Sequence, residues 1–364
     1  MANIVGAITT SHVPAIGRAI AKNLQTDPYW KPFFDGWPPV HRWLENVKPD
    51  VAVVFYNDHG LNFFLDKMPT FAVGAAPEYP STDEGWGIPQ VPPFEGEQDL
   101  SWHLIESLVG DEFDVVSCQE MVVDHAITLP LALMYPSQAW PLKIVPVCIN
   151  TVQFPLPSAK RCYALGEAVG RAVRAWKSDA RVVVLGTGGL SHQLDGERAG
   201  FINKDFDLAF MESLLHDPRW ATQFDSKQLV EKAGTQGIEL LMWLAARAAL
   251  GERVSAVQSY GGFTESRGVG TNLFNLGVAP SGRNVSETGI VAPAAEGVLA
   301  ARFGSRSGSG RGPPSFSRSP RQRSSGTVRA ARTIAKTMPE SNGATLRTRP
   351  TPTTAPEPSV KVAP

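Results

Sequence analysis

Three apolar stretches of the chain each run directly into a histidine. They extend from Asn3 to His12, from Val51 to His59 and from Arg181 to His192. Each begins with a short run rich in Val, Ile or Phe, the pattern of a strand buried on both faces of a parallel sheet. Ligand-binding and catalytic groups collect beyond the carboxyl ends of such strands. The pattern therefore predicts that the three histidines meet at one edge of a sheet, in a metal or acid/base site.

Helical periodicity alternates with further apolar runs. It predicts helices over residues 40–46, 99–108, 159–176, 203–215 and 235–250, and more strand over 63–73 and 143–150. Thr235 is the expected N-cap of the last helix, and Gly251 lies just past its end. Residues 75–96, rich in Pro, Gly and acidic side chains, are expected to form a long surface loop at the wall of an active site. This alternation is typical of an α/β fold with a mostly parallel central sheet flanked by helices.

The pattern fades after about Val278. Residues 281–364 are mainly Ser, Arg, Pro, Gly, Thr and Ala, a composition that buries too little apolar surface to offset the entropy of ordering. We therefore predict one globular domain over residues 1–280 and a disordered, basic Ser/Arg/Pro-rich tail over 281–364. An altered reading frame in a GC-rich gene is the alternative origin of this composition.

Charge divides the chain in the same way. Residues 301–364 contain 12 Lys and Arg and 2 Asp and Glu, whereas residues 1–300 contain 22 basic and 33 acidic residues. The tail has almost no aromatic side chains that could stack on bases, so we expect no nucleic-acid partner. No signal peptide and no run of about 18 apolar residues are evident, so no membrane association is expected. The three cysteines lack CxxC spacing, which favours free thiols in a cytoplasmic protein.

Glu239 is the acidic residue with the most unusual surroundings. Its same-face neighbours on the predicted helix are Met242, Trp243 and Ala246, all apolar. A carboxylate that faces the interior is costly unless it is paired or binds a metal. A salt bridge to an arginine is one interpretation. The other combines Glu239 with the histidines at the strand ends in a two-His-one-carboxylate triad, the set typical of non-haem Fe(II) oxygenases.

The remaining histidines differ in their sequence context. His192 follows two glycines, whose bare backbone suits the close approach of a ligand, although a hydrogen-bonded histidine at a strand end is the plainer interpretation. For His125, in VDH, the signal is weaker, and a core or capping role is favoured. For His41, His103 and His216, on or near predicted helices, surface or capping roles are favoured.

Several common catalytic motifs are absent from the sequence. It contains no GxGxxG, Walker loop, GxSxG or HExxH, which argues against nucleotide-binding, serine-hydrolase and zincin chemistry. Ser191 lies in GTGGLSH without the context of a nucleophile elbow, so a nucleophilic role is not expected.

Seven motifs give the chain a specific resemblance over about residues 1–278. The chain resembles the class III extradiol ring-cleaving dioxygenases, the family of the catalytic beta chain of protocatechuate 4,5-dioxygenase and of gallate dioxygenases. The motifs are SHVPAIG (11–17), FYNDHG (55–60), DEGWG (83–87), DEFD (111–114), VDHAITLPL (123–131), GTGGLSHQLDGERAGFINKDFD (186–207) and GIELLMWLAARAAL (237–250).

The resemblance implies roles for individual residues. His12, His59 and Glu239 are the expected Fe(II) ligands, which agrees with the triad interpretation. His192 is the expected catalytic acid/base. His125 is expected to contact the substrate or to support the ligands.

The resemblance indicates the residues at the substrate-recognising end of the pocket less directly. In the family, small polar residues after the last helix contribute there, and this stretch reads TESRGVGTN at 264–272. Ser266 or Arg267 is therefore expected to meet a substrate carboxylate, Arg267 as a bidentate partner.

The expected function is Fe(II)-dependent extradiol cleavage of a carboxylated catechol with O2 in aromatic degradation. Protocatechuate 4,5-cleavage is the first choice, and gallate or 3-O-methylgallate is the alternative. A small separate alpha chain or a homodimer partner is expected, because the tail does not resemble the fused domain of gallate enzymes. Two functions of other classes are a zinc hydrolase on the same scaffold and a non-catalytic interaction protein that docks through its basic tail.

Overall fold

The computed structural model describes residues 1–251, 254–264 and 267–276, with side chains through residue 256. The predicted tail over 281–364, its disorder and the domain boundary at residue 280 lie outside these residues and stay predictions. The strands are β1 (Asn3–Thr10), β2 (Val51–Tyr56), β3 (Phe71–Gly74), β4 (Glu78–Tyr79), β5 (Phe94–Glu95), β6 (Val115–Cys118), β7 (Lys143–Ile149), β8 (Arg181–Thr187), β9 (Val254–Thr264) and β10 (Arg267–Leu276).

Eight of these strands form one sheet in the order β6-β3-β7-β2-β8-β1-β10-β9. The central strands β7, β2, β8 and β1 are parallel to one another, and β6 is parallel to β3. Antiparallel pairs join β3 to β7 and add β10 and β9 at one edge. The predicted α/β fold with a mostly parallel sheet is confirmed. The three strands that precede the histidines of the sequence pattern, β2, β8 and β1, are immediate neighbours.

Helices cover both faces of the sheet. They are α1 (Pro14–Ala21), α2 (Lys31–Asp35), α3 (Trp37–Val47), α4 (Gln98–Gly110), α5 (His125–Met134), α6 (Ala159–Ala175), α7 (Lys204–His216), α8 (Ser226–Ala233) and α9 (Leu240–Ala249), with 3₁₀ turns at Trp220–Gln223 and Gly237–Glu239. No helix in the described ranges combines the length and the apolar character that a membrane span requires.

Strand β2 shows how one apolar run serves two cores. Val51, Val53 and Phe55 lie in the cluster that includes residues of α4, α6 and α9. The alternate residues of the strand, among them Val54 and Tyr56, lie in the cluster that includes residues of α1, α3 and α5. Successive side chains of a strand point to opposite faces, so a continuous apolar run is the pattern that a sheet covered on both faces requires.

Helix α9 is seated closely against α6. A Cβ atom at Gly166 or Gly170 of α6 would meet the carbonyl oxygens of Ala245 or Ala249, so only glycine permits this approach of the two backbones. The Arg174 guanidinium also donates hydrogen bonds to the carbonyl oxygens of Ala249 and Leu250, at 3.1 and 2.9 Å. These contacts satisfy acceptors at the helix end and fix α9 relative to the sheet.

Two predicted elements are shorter than expected. The helix over 235–250 is a 3₁₀ turn at Gly237–Glu239 followed by α9, and Thr235 is not its N-cap. The Thr235 hydroxyl instead donates to Oε1 of Gln236 at 2.6 Å. Gly251 has the predicted place, with a φ of 85° just past the helix.

The strand over 63–73 is confined to β3. Its expected first half is a loop with a tight turn, in which the backbone N–H of Lys67 donates to the carbonyl oxygen of Phe64 at 3.0 Å and the two residues form an isolated bridge. Just before this turn, the backbone N–H groups of residues 60–63 donate to the Asp58 carboxylate. A chain that reverses within four residues cannot continue as an extended strand.

Candidate functional site

The three strand-end histidines meet at one edge of the sheet, as predicted. His12, His59 and His192 follow the neighbouring strands β1, β2 and β8 and line one cavity of about 400 Å³. The ring centroids of His12 and His59 lie 5.2 Å apart. His12 and His192 are buried, at 1% and 3% exposure.

Glu239 lies beside these histidines, although it comes from a different part of the chain. It is buried in the 3₁₀ turn before α9, with its Oε2 atom 3.3 Å from Nε2 of His12 and its Oε1 atom 3.5 Å from Nε2 of His59. Gly188 permits this approach, since it has a φ of 144° and a Cβ there would lie 2.7 Å from the carbonyl oxygen of Glu239. The glycines before His192 thus make room for protein groups rather than for a ligand, because Gly189 similarly lies against the His192 ring.

Hydrogen bonds set the orientation of the His12 ring. Thr187 Oγ1 donates to the carbonyl oxygen of Phe55 at 3.3 Å and therefore accepts from Nδ1 of His12 at 3.2 Å. Nδ1 then carries the hydrogen, and Nε2 is the ring atom that faces Glu239.

A buried carboxylate orients His59 in the same way. Oδ2 of Asp124 accepts from both the backbone N–H and the Nδ1 atom of His59, at 2.8 and 2.9 Å. The other oxygen of Asp124 accepts from the backbone N–H of Ala126 and caps helix α5. The Asn57 amide nitrogen lies 3.1 Å from Nε2 of His59 and donates to Oε1 of Glu239 at 3.2 Å.

The charges of the site depend on one another. Burial opposes the ionisation of Glu239, yet the adjacent imidazoles of His12 and His59 hold its pKa well below the usual range. Burial lowers the pKa of His12. Burial also disfavours the charged form of His59, but the carboxylates of Asp124 and Glu239 outweigh it and raise its pKa to about 10. Despite burial, the His59 imidazole holds the pKa of Asp124 at about 2.

These residues fit a divalent metal ion. Nε2 of His12 and Oε2 of Glu239 are buried and face each other, and neither has a hydrogen-bond partner within the described part of the chain. Such orphaned atoms are costly unless another group binds them. A metal-bound histidine usually donates its second ring N–H to a carboxylate or other acceptor, as His59 does to Asp124. Among the described residues Glu239 pairs with histidines and not with an arginine.

His125 is the third imidazole of this cluster. Its ring stacks on that of His59 with a centroid distance of 4.1 Å, and ring nitrogens of His12, His59 and His125 lie within 4.8 Å of one another. The Glu84 carboxylate accepts from the His125 backbone N–H at 2.7 Å and from its Nδ1 atom at 2.6 Å. The predicted loop over 75–96 thus reaches the site through Glu84, while Trp86 of the same loop lines the cavity.

His192 is held by its own loop. Its Nδ1 atom lies 2.7 Å from the carbonyl oxygen of Leu190, and because a carbonyl only accepts, Nδ1 must donate. Nε2 is then the ring atom available to the cavity. The preceding Ser191 is fixed by Asp207, whose carboxylate accepts from its backbone N–H at 2.8 Å and from its hydroxyl at 2.6 Å. Ser191 therefore supports the loop, and its lack of a nucleophilic role stays a prediction.

The other three histidines make contacts suited to ordinary structural roles. Nε2 of His41 lies 2.7 Å from the carbonyl oxygen of Leu133, and Nε2 of His103 lies 2.9 Å from that of Ala172. His216 is an exposed partner of Glu212 within α7.

The two residues expected to meet a substrate carboxylate are not placed by the structure. Ser266 lies outside the described residues, and only the backbone position of Arg267, at the start of β10, is described. Sequence reasoning missed four supporting residues: Asn57, Glu84, Asp124 and Thr187. Asn57, Glu84 and Asp124 lie inside the FYNDHG, DEGWG and VDH motifs, but these motifs alone do not indicate the contacts that the three residues make. Thr187 offered no signal beyond its place at the end of β8.

A comparison with protein families decides the class of this site. A sequence model described as the catalytic LigB subunit of aromatic ring-opening dioxygenase matches residues 6–271, most of the chain. The chain belongs to this family. The match covers the histidines, Glu239 and the cavity they line, and it confirms the resemblance drawn from the motifs.

Curated relatives of this LigB-family chain are named as dioxygenases. A gallate dioxygenase of Pseudomonas putida is 37% identical over 180 residues, which covers 49% of this chain and 53% of that protein. A 2,3-dihydroxyphenylpropionate/2,3-dihydroxicinnamic acid 1,2-dioxygenase of Photorhabdus laumondii is 34% identical over 190 residues, 52% of this chain and 56% of that protein. The chain thus spans about half the length of the curated relatives it matches.

A solved structure also matches the chain. The crystal structure of an uncharacterized protein from Escherichia coli K12 is 14% identical, covers 74% of this chain and 99% of its own, and has a TM-score of 0.45.

Asp207 gives the LigB-family site a testable pH dependence of stability. Burial raises the pKa of Asp207 from 3.8 to about 6, so the native state holds a proton that the unfolded state loses. The contribution of this group to the free energy of unfolding is complete below about pH 4 and falls as pH rises to about 6, by roughly 2–3 kcal/mol. Urea unfolding of wild type and Asp207→Asn between pH 4 and 7 should show this change in the difference between them.

The exposed Asp205 of the same helix provides the matched control. Asp205→Asn should shift the unfolding free energy by a similar small amount at each pH. A difference between wild type and Asp207→Asn that stays constant from pH 4 to 7 would show that folding does not raise the pKa of Asp207.

Proposed function

We propose that this chain catalyses extradiol cleavage of a carboxylated catechol with O2, using ferrous iron held by His12, His59 and Glu239. The observation that carries the proposal is the convergence of two Nε2 atoms on one buried carboxylate at the wall of a cavity of about 400 Å³. Two histidines and one carboxylate leave coordination positions open, which is the donor set of non-haem Fe(II) oxygenases. Bound there, iron supplies the redox chemistry by which O2 reacts with the diphenol.

Protocatechuate, cleaved between carbons 4 and 5, is the first substrate candidate, as expected from the sequence. Gallate is the second, supported by the Pseudomonas putida relative of that name. In either case the carbon–carbon bond beside the hydroxyl-bearing carbons breaks, and both atoms of O2 enter the ring-opened product. We place the reaction in aromatic degradation in the cytoplasm, with a small alpha chain or a second copy of this chain as the partner.

His192 is the proposed acid/base. Its Nδ1–H is engaged by Leu190, so Nε2 is the ring atom that can take a proton from a catechol hydroxyl. An imidazole both accepts and donates protons near neutral pH, so the same group can return the proton later in the reaction. His125, fixed by Glu84, presents a second Nε2 atom at the cavity and is proposed to contact the substrate.

The cavity wall suits a planar aromatic ring. Apolar side chains dominate it away from the histidines, among them Val13, Phe154, Leu156, Leu194 and Val230. A ring bound against them loses its water shell, and electrostatic contacts to its hydroxyls are stronger in that drier environment.

Oxygen uptake with alternative metals tests the proposed function. The protein, loaded anaerobically with Fe(II) or with Zn(II), is offered protocatechuate, gallate and 3-O-methylgallate in an oxygen electrode. The Fe(II) form should consume one O2 per catechol and yield a yellow ring-opened product, whereas the Zn(II) form should consume none. If neither form takes up oxygen and the Zn(II) form hydrolyses an added ester such as the methyl ester of protocatechuate, a zinc hydrolase is favoured. Binding of a catechol without any turnover would favour an interaction protein.

Metal retention tests the role of Glu239. Glu239→Gln keeps the shape of the side chain but removes its charge, so we expect iron affinity to fall by at least about 10-fold. Iron content measured by mass spectrometry after anaerobic loading and gel filtration reports this directly. Glu212→Gln, at an exposed position on α7, should retain wild-type iron content. Full occupancy in Glu239→Gln would remove Glu239 from the ligand set.

Turnover tests the role of His192 separately from metal binding. His192→Gln should lower kcat by about 10²- to 10⁴-fold, the usual contribution of general acid/base catalysis, while iron content stays at the wild-type level. His216→Gln, which changes an exposed histidine, should match wild type in both measurements. An unchanged kcat in His192→Gln would show that the proton passes through another group.

A further inference from the structure

Arg18 introduces a permanent positive charge into the cavity wall. It lies on α1, which begins two residues after His12, and its side chain is half-buried at the cavity. Among the described lining residues it is the single Lys or Arg. No carboxylate of the described residues pairs with it, whereas the exposed Arg171 and Arg181 both have acidic partners.

The surroundings of Arg18 favour a bound anion. The wall beside it is largely apolar, and a guanidinium gains more from an anionic partner in such a setting than in open water. The charged carboxylates near the site, Glu239, Asp124 and Glu84, would by themselves repel an anionic ligand. A cation in the same wall offsets that repulsion at the point where it lies.

The position of Arg18 is fixed by the packing of its helix. Its neighbour Gly17 lies so close to Ile88 and Leu129 that a Cβ there would be 2.8–2.9 Å from their side chains. Ile88 belongs to the loop that also carries Glu84 and Trp86. Helix α1 is therefore clamped between this loop and α5, and its outward residue Arg18 faces the cavity.

We propose that Arg18 binds the carboxylate of the aromatic substrate and thereby sets the preference of the cavity for anionic over neutral catechols. The inference rests on the proposed ring-cleaving function and adds a specificity-determining residue to it. A planar guanidinium offers two parallel N–H donors to a carboxylate. The hydroxyls of the ring then lie toward His12, His59 and His192, and its charged substituent lies toward α1.

A purely structural role for Arg18 makes a different set of predictions. Arg18 lies in the last turn of α1, where a positive charge stabilises the helix end. Loss of that role would lower the melting temperature and affect all substrates alike. Loss of a carboxylate contact would affect only substrates that carry the charge.

The experiment compares protocatechuate with its methyl ester, which keeps both hydroxyls and removes the charge. For the Fe(II)-loaded full chain, we expect Arg18→Met to lower the ratio of kcat/KM for the acid to that for the ester by about 10- to 100-fold. Arg18→Lys keeps the charge without the forked geometry, so part of the ratio should return. Arg42→Met, at an exposed position on α3, should keep the wild-type ratio and melting temperature.

Anaerobic calorimetry of protocatechuate binding separates this inference from the proposed function. If wild type binds the acid and Arg18→Met binds it at least about 10-fold more weakly, the carboxylate contact stands even where no catechol is cleaved. An active Arg18→Met with an unchanged acid-to-ester ratio and unchanged binding would overturn the inference. So would a ratio that falls in Arg267→Met alone, which would place the carboxylate at the residue expected from the sequence.

Discussion

A carboxylate buried among imidazoles is the constraint on which this structure depends. An ionised Glu239 away from water is costly by itself, and the compensating groups are His12, His59 and the Asn57 amide. Each of these groups is in turn held by a further partner or by its strand. The site is therefore stable as a set. A divalent cation at its centre would bind the two atoms that the described residues leave without a hydrogen-bond partner, Nε2 of His12 and Oε2 of Glu239.

The fold meets this constraint by bringing distant segments together. The strands β2, β8 and β1 are adjacent in the sheet although 130 residues separate the end of β2 from the end of β8 in the chain. Parallel strands share the polarity of their ends, so three histidines that follow them necessarily lie at one edge. Helix α9 enters from the face opposite α5, and its close seating on the glycines of α6 brings Glu239 within reach of the strand ends.

Much of this arrangement could be predicted from the sequence, because it follows from the pattern of apolar residues and from the free-energy cost of burying a charged side chain. Continuous apolar runs ending in histidine indicated buried parallel strands with a shared edge, and an acidic residue flanked by Met242 and Trp243 indicated an inward carboxylate. The supporting contacts could not be predicted in the same way. Glu84 and Asp124 act through tertiary contacts to His125 and His59, and no local pattern encodes a partner 41 or 65 residues away. The 3₁₀ turn at Glu239 escaped prediction for a similar reason, since it is set by packing against the His192 loop.

Among these supporting residues, Asp124 connects two separate parts of the structure. One of its oxygens begins helix α5 and the other holds both the backbone and the ring of His59. The same side chain thus fixes both the start of helix α5 and the orientation of the His59 ring, so a shift of one would displace the other. A side chain with a single acceptor oxygen at this position could not both begin the helix and hold His59.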